Sequence, residues 1–259
     1  MIVTDTIQNL IQVNKPQQIE FLEFIVETLK KSQTVSHLLV RGSIAKGRVD
    51  RSSDVDLVIG IQPDQIQDFL AVIDIIIDVE LGGLFPGWFD TLAPKLGGWG
   101  FVYLVPFKNV LYELDLYIVP EPTIPSIIAS GALEIHSNKN NIQSEEPDLK
   151  QNFEVNDIIK NDPALDLVIE VLCLLHMLSK RTARQQWYIV YGLSYLINDA
   201  MRRFIKFCLI PDSPHWGWYH LEDELGVDPR GRKCLQALST LINVNAISDT
   251  GVIWIYQFN

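Results

Sequence analysis

Hydrophobic residues recur at two different spacings along this chain, and the changes of spacing predict the order of its elements. Over residues 15–32 the apolar residues return every three or four positions, which predicts a helix with one buried stripe. Two short apolar runs follow, SHLLV at 36–40 and DVDLVIGI at 54–61, and each predicts a buried strand. Helical spacing then returns over about residues 64–74.

The middle of the chain predicts a hairpin. Two runs of strand-forming residues, 101–107 and 110–119, flank Lys108–Asn109, a pair typical of a two-residue turn. Residues 82–100 hold many glycines, which argues against a regular element there. Both a loop over a pocket and a plain connector fit that segment.

The last part of the chain is helical in pattern. Strongly apolar stretches at 164–181 and 187–209 predict two long helices, a weaker pattern over 231–243 predicts a third, and 252–258 predicts a final strand. The whole order predicts an α+β protein. We expect an N-terminal domain (1–122) with a small mixed sheet flanked by helices, a polar connection (123–153), and a mainly helical domain (154–259).

Composition narrows the function classes. The 259 residues carry 32 acidic against 21 basic side chains, a formal charge of -11, which argues against a general nucleic-acid surface and favours a cationic ligand. Cys173, Cys208 and Cys234 have no metal-site spacing and predict free thiols. No secretory leader and no run of about 18 apolar residues is evident, so we expect a cytoplasmic protein without a membrane partner.

Acidic residues stand out within the predicted strands. Asp54 and Asp56 alternate with apolar residues, so they lie on one strand face about 7 Å apart, close enough to hold a hard cation together. Asp115 is flanked by two leucines in the second strand of the hairpin, and Glu113 shares its face and is the rival for its role. Converging carboxylates repel by about 4 kcal/mol per pair at 4 Å and an effective dielectric near 20. Divalent cations relieve that repulsion and stabilise an in-line phosphoryl displacement.

A turn suited to phosphate lies before the acidic strand. Gly42 lets backbone N–H groups approach a phosphate closely, and the Ser43 hydroxyl adds a further donor. Lys46, Arg48 and Arg51 follow the turn and are candidate ligands of triphosphate oxygens. A solvated basic loop explains these three residues equally well.

Together these motifs resemble the DNA polymerase β-like nucleotidyltransferases, in which a Gly-Ser turn precedes an acid-x-acid strand and a later lone acid. The resemblance covers residues 37–119. It implies that Asp54 and Asp56 bind the metal ions, two Mg²⁺, that bridge the nucleotide triphosphate. It also implies that Asp115 completes a metal site or takes the acceptor's proton, and that Ser43 holds a terminal phosphate.

A helical domain behind such a domain is similar to the aminoglycoside and lincosamide adenylyltransferases. That resemblance implies transfer of AMP from ATP, or from another nucleoside triphosphate, to a hydroxyl of a small antibiotic-like acceptor held between the domains. Acidic side chains are candidates for binding a polycation there, among them Glu80, Asp90, Glu113, Glu222, Asp223 and Glu224. A nucleotidyltransferase that adenylylates a partner protein and a non-catalytic nucleotide-binding regulator stay open as alternatives, as does a homodimer.

Overall fold

The computed structural model describes residues 16–50, 52–90, 96–138, 163–213 and 220–241. Arg51, residues 214–219 and the strand expected at 252–258 lie outside these ranges. The chain divides into two compact units, Met1–Lys160 and Asn161–Asn259. Each unit has its own set of elements.

The first unit alternates helices and strands. Its helices are α1 (Gln17–Leu29), α2 (Gly42–Ala45), α3 (Ile66–Leu81) and α4 (Ile124–Ala129). Its strands are β1 (Val35–Val40), β2 (Val55–Ile61), β3 (Trp88–Phe89), β4 (Trp99–Phe107), β5 (Val110–Pro120) and β6 (Leu133–Ser137). Short 3₁₀ turns at Pro63–Gln65 and Glu121–Thr123 lead into α3 and α4.

The strands form one mixed sheet in the order β3-β4-β5-β2-β1-β6. The central pair, β2 and β5, is parallel, and each of the other neighbouring pairs is antiparallel. Lys108 and Asn109 both have positive φ, 49° and 64°, between the paired residues Phe107 and Val110. The predicted two-residue hairpin is therefore confirmed, because such φ values match the twist of the flanking strands.

One face of this sheet is covered by α1 and α3. Phe21 and Ile25 of α1 and Ile73 of α3 are buried against the strand residues Leu57 and Leu116. On the opposite face, α4 packs on a smaller apolar group of strand residues, Leu39, Val58, Tyr117 and Val119. A mixed sheet flanked by helices, followed by helices in the second unit, confirms the predicted fold class.

The sheet extends further along the chain than the boundary at residue 122. Strand β6 pairs with β1, so the residues assigned to a connection contribute α4 and an edge strand to the first unit. Its sequence LEIHS alternates apolar and polar residues, but it holds only two apolar residues, runs into a polar segment and is exposed over its first three residues. Helix α3 also runs to Leu81, beyond the predicted end near residue 74, and stops at Gly82 with φ 71°.

The second unit is helical where the structure describes it. It comprises α5 (Pro163–Ala183), α6 (Trp187–Leu209), α7 (Leu221–Leu225) and α8 (Pro229–Leu241). Arg203 of α6 bridges to Glu170 of α5 at 2.6 Å, and the Asn198 amide donates to the Leu238 carbonyl of α8 at 3.1 Å. Within the described ranges, every helix is too short or too polar to cross a membrane.

Candidate functional site

Strand alternation places four carboxylates on one side of the sheet. In β2 the residues Val55 and Leu57 enter the core under α1 and α3, so Asp54 and Asp56 lie on the other side. In β5, Leu114 and Leu116 enter the same core, which puts Glu113 and Asp115 on the other side as well. We call the side bearing Asp54, Asp56, Glu113 and Asp115 the acidic face, and the side under α1 and α3 the apolar face.

The register between the two parallel strands brings the acids side by side. Asp56 of β2 is paired with Asp115 of β5, and Val55 with Leu114. Neighbouring strands lie about 4.8 Å apart, so opposed side chains on one face are in reach of each other. The chain reaches this arrangement through the long crossover between β2 and β5, which brings residues far apart in sequence into one cluster.

Three of these carboxylates have the spacing of a metal site. One oxygen from each of Asp54, Glu113 and Asp115 lies within 4.8 Å of the others. Glu113 is buried, with 3% of its surface exposed, and the two aspartates are half-buried. Oxygens on opposite sides of a Mg²⁺ ion lie about 4.2 Å apart, since each ligand distance is about 2.1 Å. The donor set and its spacing therefore fit a hard divalent cation.

Asp56, the fourth carboxylate, is seated on the glycine of the Gly-Ser turn. A Cβ added to Gly42 would lie 1.8 Å from Asp56 Oδ2, so only glycine leaves room for that oxygen. Gly42 also has φ +63°, a conformation that other residues adopt at a cost. The Arg41 backbone N–H donates to the Asp56 carbonyl at 2.9 Å and fixes the turn against β2. This packing role of Gly42 toward a carboxylate was not predicted from the sequence.

Ser43 is the second residue of the short helix α2. Its Oγ is buried and has no hydrogen-bond partner within the described part of the chain. An unsatisfied buried hydroxyl costs about 1–3 kcal/mol, so natural sites that keep one usually serve a ligand or another function. This orphaned oxygen belongs to the turn whose glycine packs on Asp56, and it is suited to a hydrogen bond with a bound group such as a phosphate.

The basic residues predicted for the triphosphate have different positions. Lys46 and Arg48 are exposed in the turn after α2, and neither forms an ion pair with a described carboxylate. The Arg48 N–H donates to the Ser43 carbonyl at 2.9 Å, which closes that turn. Arg51 lies outside the described residues, so its proposed role stays a prediction.

Arg41, a cation that the sequence motifs did not single out, lies on the acidic face. The Arg41 guanidinium carbon stands 5.7 Å from the ring centroid of Tyr117, the residue two positions after Asp115. Burial raises the pKa of the Tyr117 hydroxyl, the charges of Asp115, Asp56 and Asp90 raise it further, and Arg41 opposes them. The alternation of side chains along β1 explains this position. Arg41 follows Leu39 by two residues and so shares its side of the sheet, and Leu39 packs with Tyr117.

Asp90 is a further acid on this side of the sheet. Its N–H donates to the Gly100 carbonyl at 2.9 Å, and Gly100 faces Tyr117 across the β4–β5 pair. A Cβ at Gly100 would lie 3.7 Å from that of Asp90 and 3.2 Å from the Tyr117 ring. Of the acids predicted to bind a polycation, Glu113 thus belongs to the carboxylate cluster, and Asp90 lies beside Gly100 on the side of Tyr117. Glu80 is exposed on α3, and three others lie on α7.

Comparison with known proteins gives little. No protein-family model matches the chain, and no curated protein sequence matches it. Among solved structures it is similar to an aminoglycoside 6-adenyltransferase from Bacillus subtilis, with 17% identity and a TM-score of 0.25 over 72% of this chain and 64% of that one. The chain therefore spans less than two thirds of that enzyme's length. A TM-score of 0.25 carries no argument about function, so the acidic face has to carry it.

Proposed function

We propose that the protein is a metal-dependent nucleotidyltransferase. It moves a nucleoside monophosphate, AMP from ATP, to a hydroxyl of a small molecule such as an aminoglycoside-like antibiotic. The observation that supports this most directly is the convergence of Asp54, Glu113 and Asp115, whose oxygens lie within 4.8 Å of one another. The Gly-Ser turn supports it further, because its glycine packs on Asp56 and its serine carries an orphaned hydroxyl.

The carboxylates have roles that follow from their chemistry. Asp54, Asp56 and Asp115 are the proposed ligands of two Mg²⁺ ions. Glu113 is a fourth candidate ligand, because it, and not Asp56, shares the metal spacing of Asp54 and Asp115. Bound there, the metal ions would neutralise the clustered charge and stabilise the attacking and leaving oxygens of a phosphoryl displacement. Oxygen donors at this spacing suit Mg²⁺ better than the softer transition metals.

The reaction needs few other groups from the chain. The acceptor hydroxyl oxygen bonds to the α-phosphorus, the bond from that phosphorus to the bridging oxygen breaks, and pyrophosphate leaves. The hydroxyl proton passes to a carboxylate, for which Asp115 is the first candidate and Glu113 the second. Ser43 Oγ donates to a terminal phosphate oxygen, and the exposed Lys46 and Arg48 contact the phosphate chain.

The acceptor is proposed to be cationic. Asp90 adds a negative charge to the same side of the sheet, next to the cluster that would bind the metal ions. A face lined by one sign of charge concentrates ligands of the opposite sign. An amine-bearing sugar would therefore be bound more strongly than a neutral sugar of the same size.

The position of the label in ATP separates this proposal from other phosphoryl chemistry. The purified protein is incubated with Mg²⁺, a panel of amine-bearing and neutral acceptors, and ATP labelled at either the α or the γ phosphate. We expect label from the α position on an acceptor, and γ label released as pyrophosphate. Label from the γ position on the acceptor would indicate a kinase, and label on protein would indicate the partner-modifying alternative. Either of these results contradicts the proposal.

Two variants make the assay specific to the acidic face. Asp56→Asn should abolish transfer, since it removes a metal ligand without changing the shape of the side chain. Asp78→Asn removes the same charge from the exposed side of α3, and we expect it to transfer at the wild-type rate. Equal rates in the two variants would show that any transfer observed comes from elsewhere.

A further inference from the structure

Arg41 occupies a special place between the sheet and the Gly-Ser turn. It follows β1 directly and precedes Gly42, and its backbone N–H is bonded to the carbonyl of Asp56 at 2.9 Å. Its side chain lies with Tyr117, on the same side of the sheet as the carboxylates. A permanently charged group is therefore built into the first residue of the phosphate-binding turn.

The Arg41 guanidinium lies over an aromatic ring whose hydroxyl is under the influence of three acids. The charges of Asp115, Asp56 and Asp90 raise the pKa of Tyr117, and the Arg41 guanidinium stands 5.7 Å from its ring centroid. Among the described residues, no carboxylate oxygen lies within 4.0 Å of the Arg41 guanidinium, the distance of an ion pair. No described side chain accepts a hydrogen bond from it either. Its planar fork of N–H donors is thus held in position without being used.

The ring itself is fixed from the other side. Tyr117 has 8% of its surface exposed and packs with Leu39 and Val119. Gly100 faces it on β4, and a Cβ there would come within 3.2 Å of the ring carbons. Bare backbone at Gly100 lets the ring lie flat beside the strand, so the surface under Arg41 has a defined orientation.

From these contacts we propose that Arg41 binds the phosphate chain of the nucleotide, and that Tyr117 is a positioning residue which holds the guanidinium for it. The ring keeps the guanidinium from collapsing onto Asp56 or Asp115, where an ion pair would consume both its donors and the metal ligands. Two N–H groups of a guanidinium can donate in parallel to two oxygens of a phosphate, so the contact is charge-assisted and directional. This inference rests on the proposed function and adds a residue that none of the sequence motifs contains.

Two variants of Arg41, two of Tyr117 and one control test the pair, with binding of Mg²⁺–ATP and turnover measured for each. Arg41→Met should weaken Mg²⁺–ATP binding by about 10- to 100-fold, since one hydrogen bond to a charged group contributes that much. Arg41→Lys should recover part of the loss, because it restores the charge but not the fork. Lys31→Met removes a positive charge from the exposed turn after α1 and serves as the matched control, with unchanged binding.

The ring is tested separately from its hydroxyl. Tyr117→Phe keeps the aromatic face and should bind Mg²⁺–ATP within about twofold of the wild type, whereas Tyr117→Leu should lose about 5- to 10-fold. A titration with Mn²⁺ alone shows whether the carboxylates survive each change. We expect Arg41→Met to bind Mn²⁺ at least as tightly as the wild type, because a positive neighbour has been removed.

The outcomes distinguish this inference from the proposed function. Wild-type protein that neither binds Mg²⁺–ATP nor transfers label would end both. Wild-type activity together with an Arg41→Met variant that binds Mg²⁺–ATP normally would overturn the role of Arg41 alone. Equal losses in Tyr117→Phe and Tyr117→Leu would overturn the positioning role of the ring. Loss of Mn²⁺ binding in Arg41→Met would mean that Arg41 only supports the structure of the acidic face.

Discussion

Strand β2 presents two different surfaces, one on each side of the same sheet. On the apolar face Val55, Leu57 and Ile59 are completely buried under α1 and α3. On the acidic face Asp54 and Asp56 are half-buried, and only further along the strand does the apolar residue Val58 pack toward α4. Because successive side chains of a strand point to opposite faces, one short strand supplies core residues on one side and the candidate metal ligands on the other.

The two faces contribute to the free energy of unfolding with opposite signs. Each large apolar side chain buried on the first face stabilises the fold by about 1.5–3 kcal/mol. Each close pair of like charges on the second face costs up to about 4 kcal/mol at an effective dielectric near 20. A cluster that lowers stability in the absence of a ligand persists in natural proteins mainly where it serves a function.

The largest change in the free energy of unfolding is expected from a pair of variants on β2, one on each face of the sheet. Leu57→Ala should lower the free energy of unfolding by about 2–5 kcal/mol, because it leaves a cavity under α1 and α3. Asp56→Asn, one residue away, should leave that free energy unchanged or raise it, since repulsion is relieved. Urea denaturation without metal measures both. A destabilised Asp56→Asn variant would mean that the carboxylate stabilises the fold.

The next effect concerns the two acids of β5. Asp115→Asn should lower the turnover number by at least about 100-fold, a change of about 2.7 kcal/mol in activation free energy. Glu113→Gln should lower it less, because Asp115 is the residue in register with Asp56. Steady-state rates of AMP transfer decide the order. An inactive Glu113→Gln beside an active Asp115→Asn would exchange their roles.

Gly42 and Gly47 offer a matched test of the contact with Asp56. Both have φ +63°, but a Cβ at Gly42 would lie 1.8 Å from Asp56 Oδ2, and one at Gly47 would meet nothing within 4 Å. Gly47→Ala should therefore cost about 1 kcal/mol of stability from backbone strain alone. Gly42→Ala should cost about 1–3 kcal/mol more and lower activity, since the carboxylate has to move. Similar losses in thermal unfolding and activity would remove the special role of Gly42.

The smallest effect contrasts the acidic face with the paired charges of the second unit. Burial alone would raise the pKa of Asp199, but hydrogen bonds from Arg202 and Arg203 outweigh it and lower the pKa below its ordinary 3.8. A lowered pKa stabilises the folded state above the ordinary value, and that contribution disappears as the pH falls through the lowered one. Asp199→Asn should therefore be slightly less stable than the wild type at pH 6, with the difference closing below about pH 4. A difference that stays constant with pH would contradict this account.

Local patterns predicted much of this structure, and long-range pairing accounts for what they missed. The bounds of α6 and the turn at Lys108–Asn109 followed from periodicity and turn chemistry. Helix α3 was predicted too short, because Ile75 and Val79 are 61% and 71% exposed and blur its apolar stripe. Strand β6 was missed because its alternation spans only two apolar residues, Leu133 and Ile135, before a polar segment begins.

The site shows the same division. Alternation along β2 predicted that Asp54 and Asp56 share a side, and the motif added Asp115. The parallel register of β2 with β5 could not be read from either strand alone, since it depends on a crossover through α3 and the hairpin. The contact of Asp56 with Gly42 depends on the antiparallel pairing of β1 with β2, and the approach of Arg41 to Tyr117 depends on that pairing together with the β2–β5 register. Neither contact can be predicted from one short stretch of sequence, because each joins residues from different strands.

A titration with Mn²⁺, followed by its electron paramagnetic resonance signal, tests the central claim that the acidic face binds divalent cations. Wild-type protein should bind the ion, and thermal unfolding should shift upward with metal because binding favours the folded state. Asp115→Asn should lose most of both effects, while Asp78→Asn, with the same change of charge on the exposed side of α3, should keep them. Equal Mn²⁺ affinity in the wild type and Asp115→Asn would contradict the account.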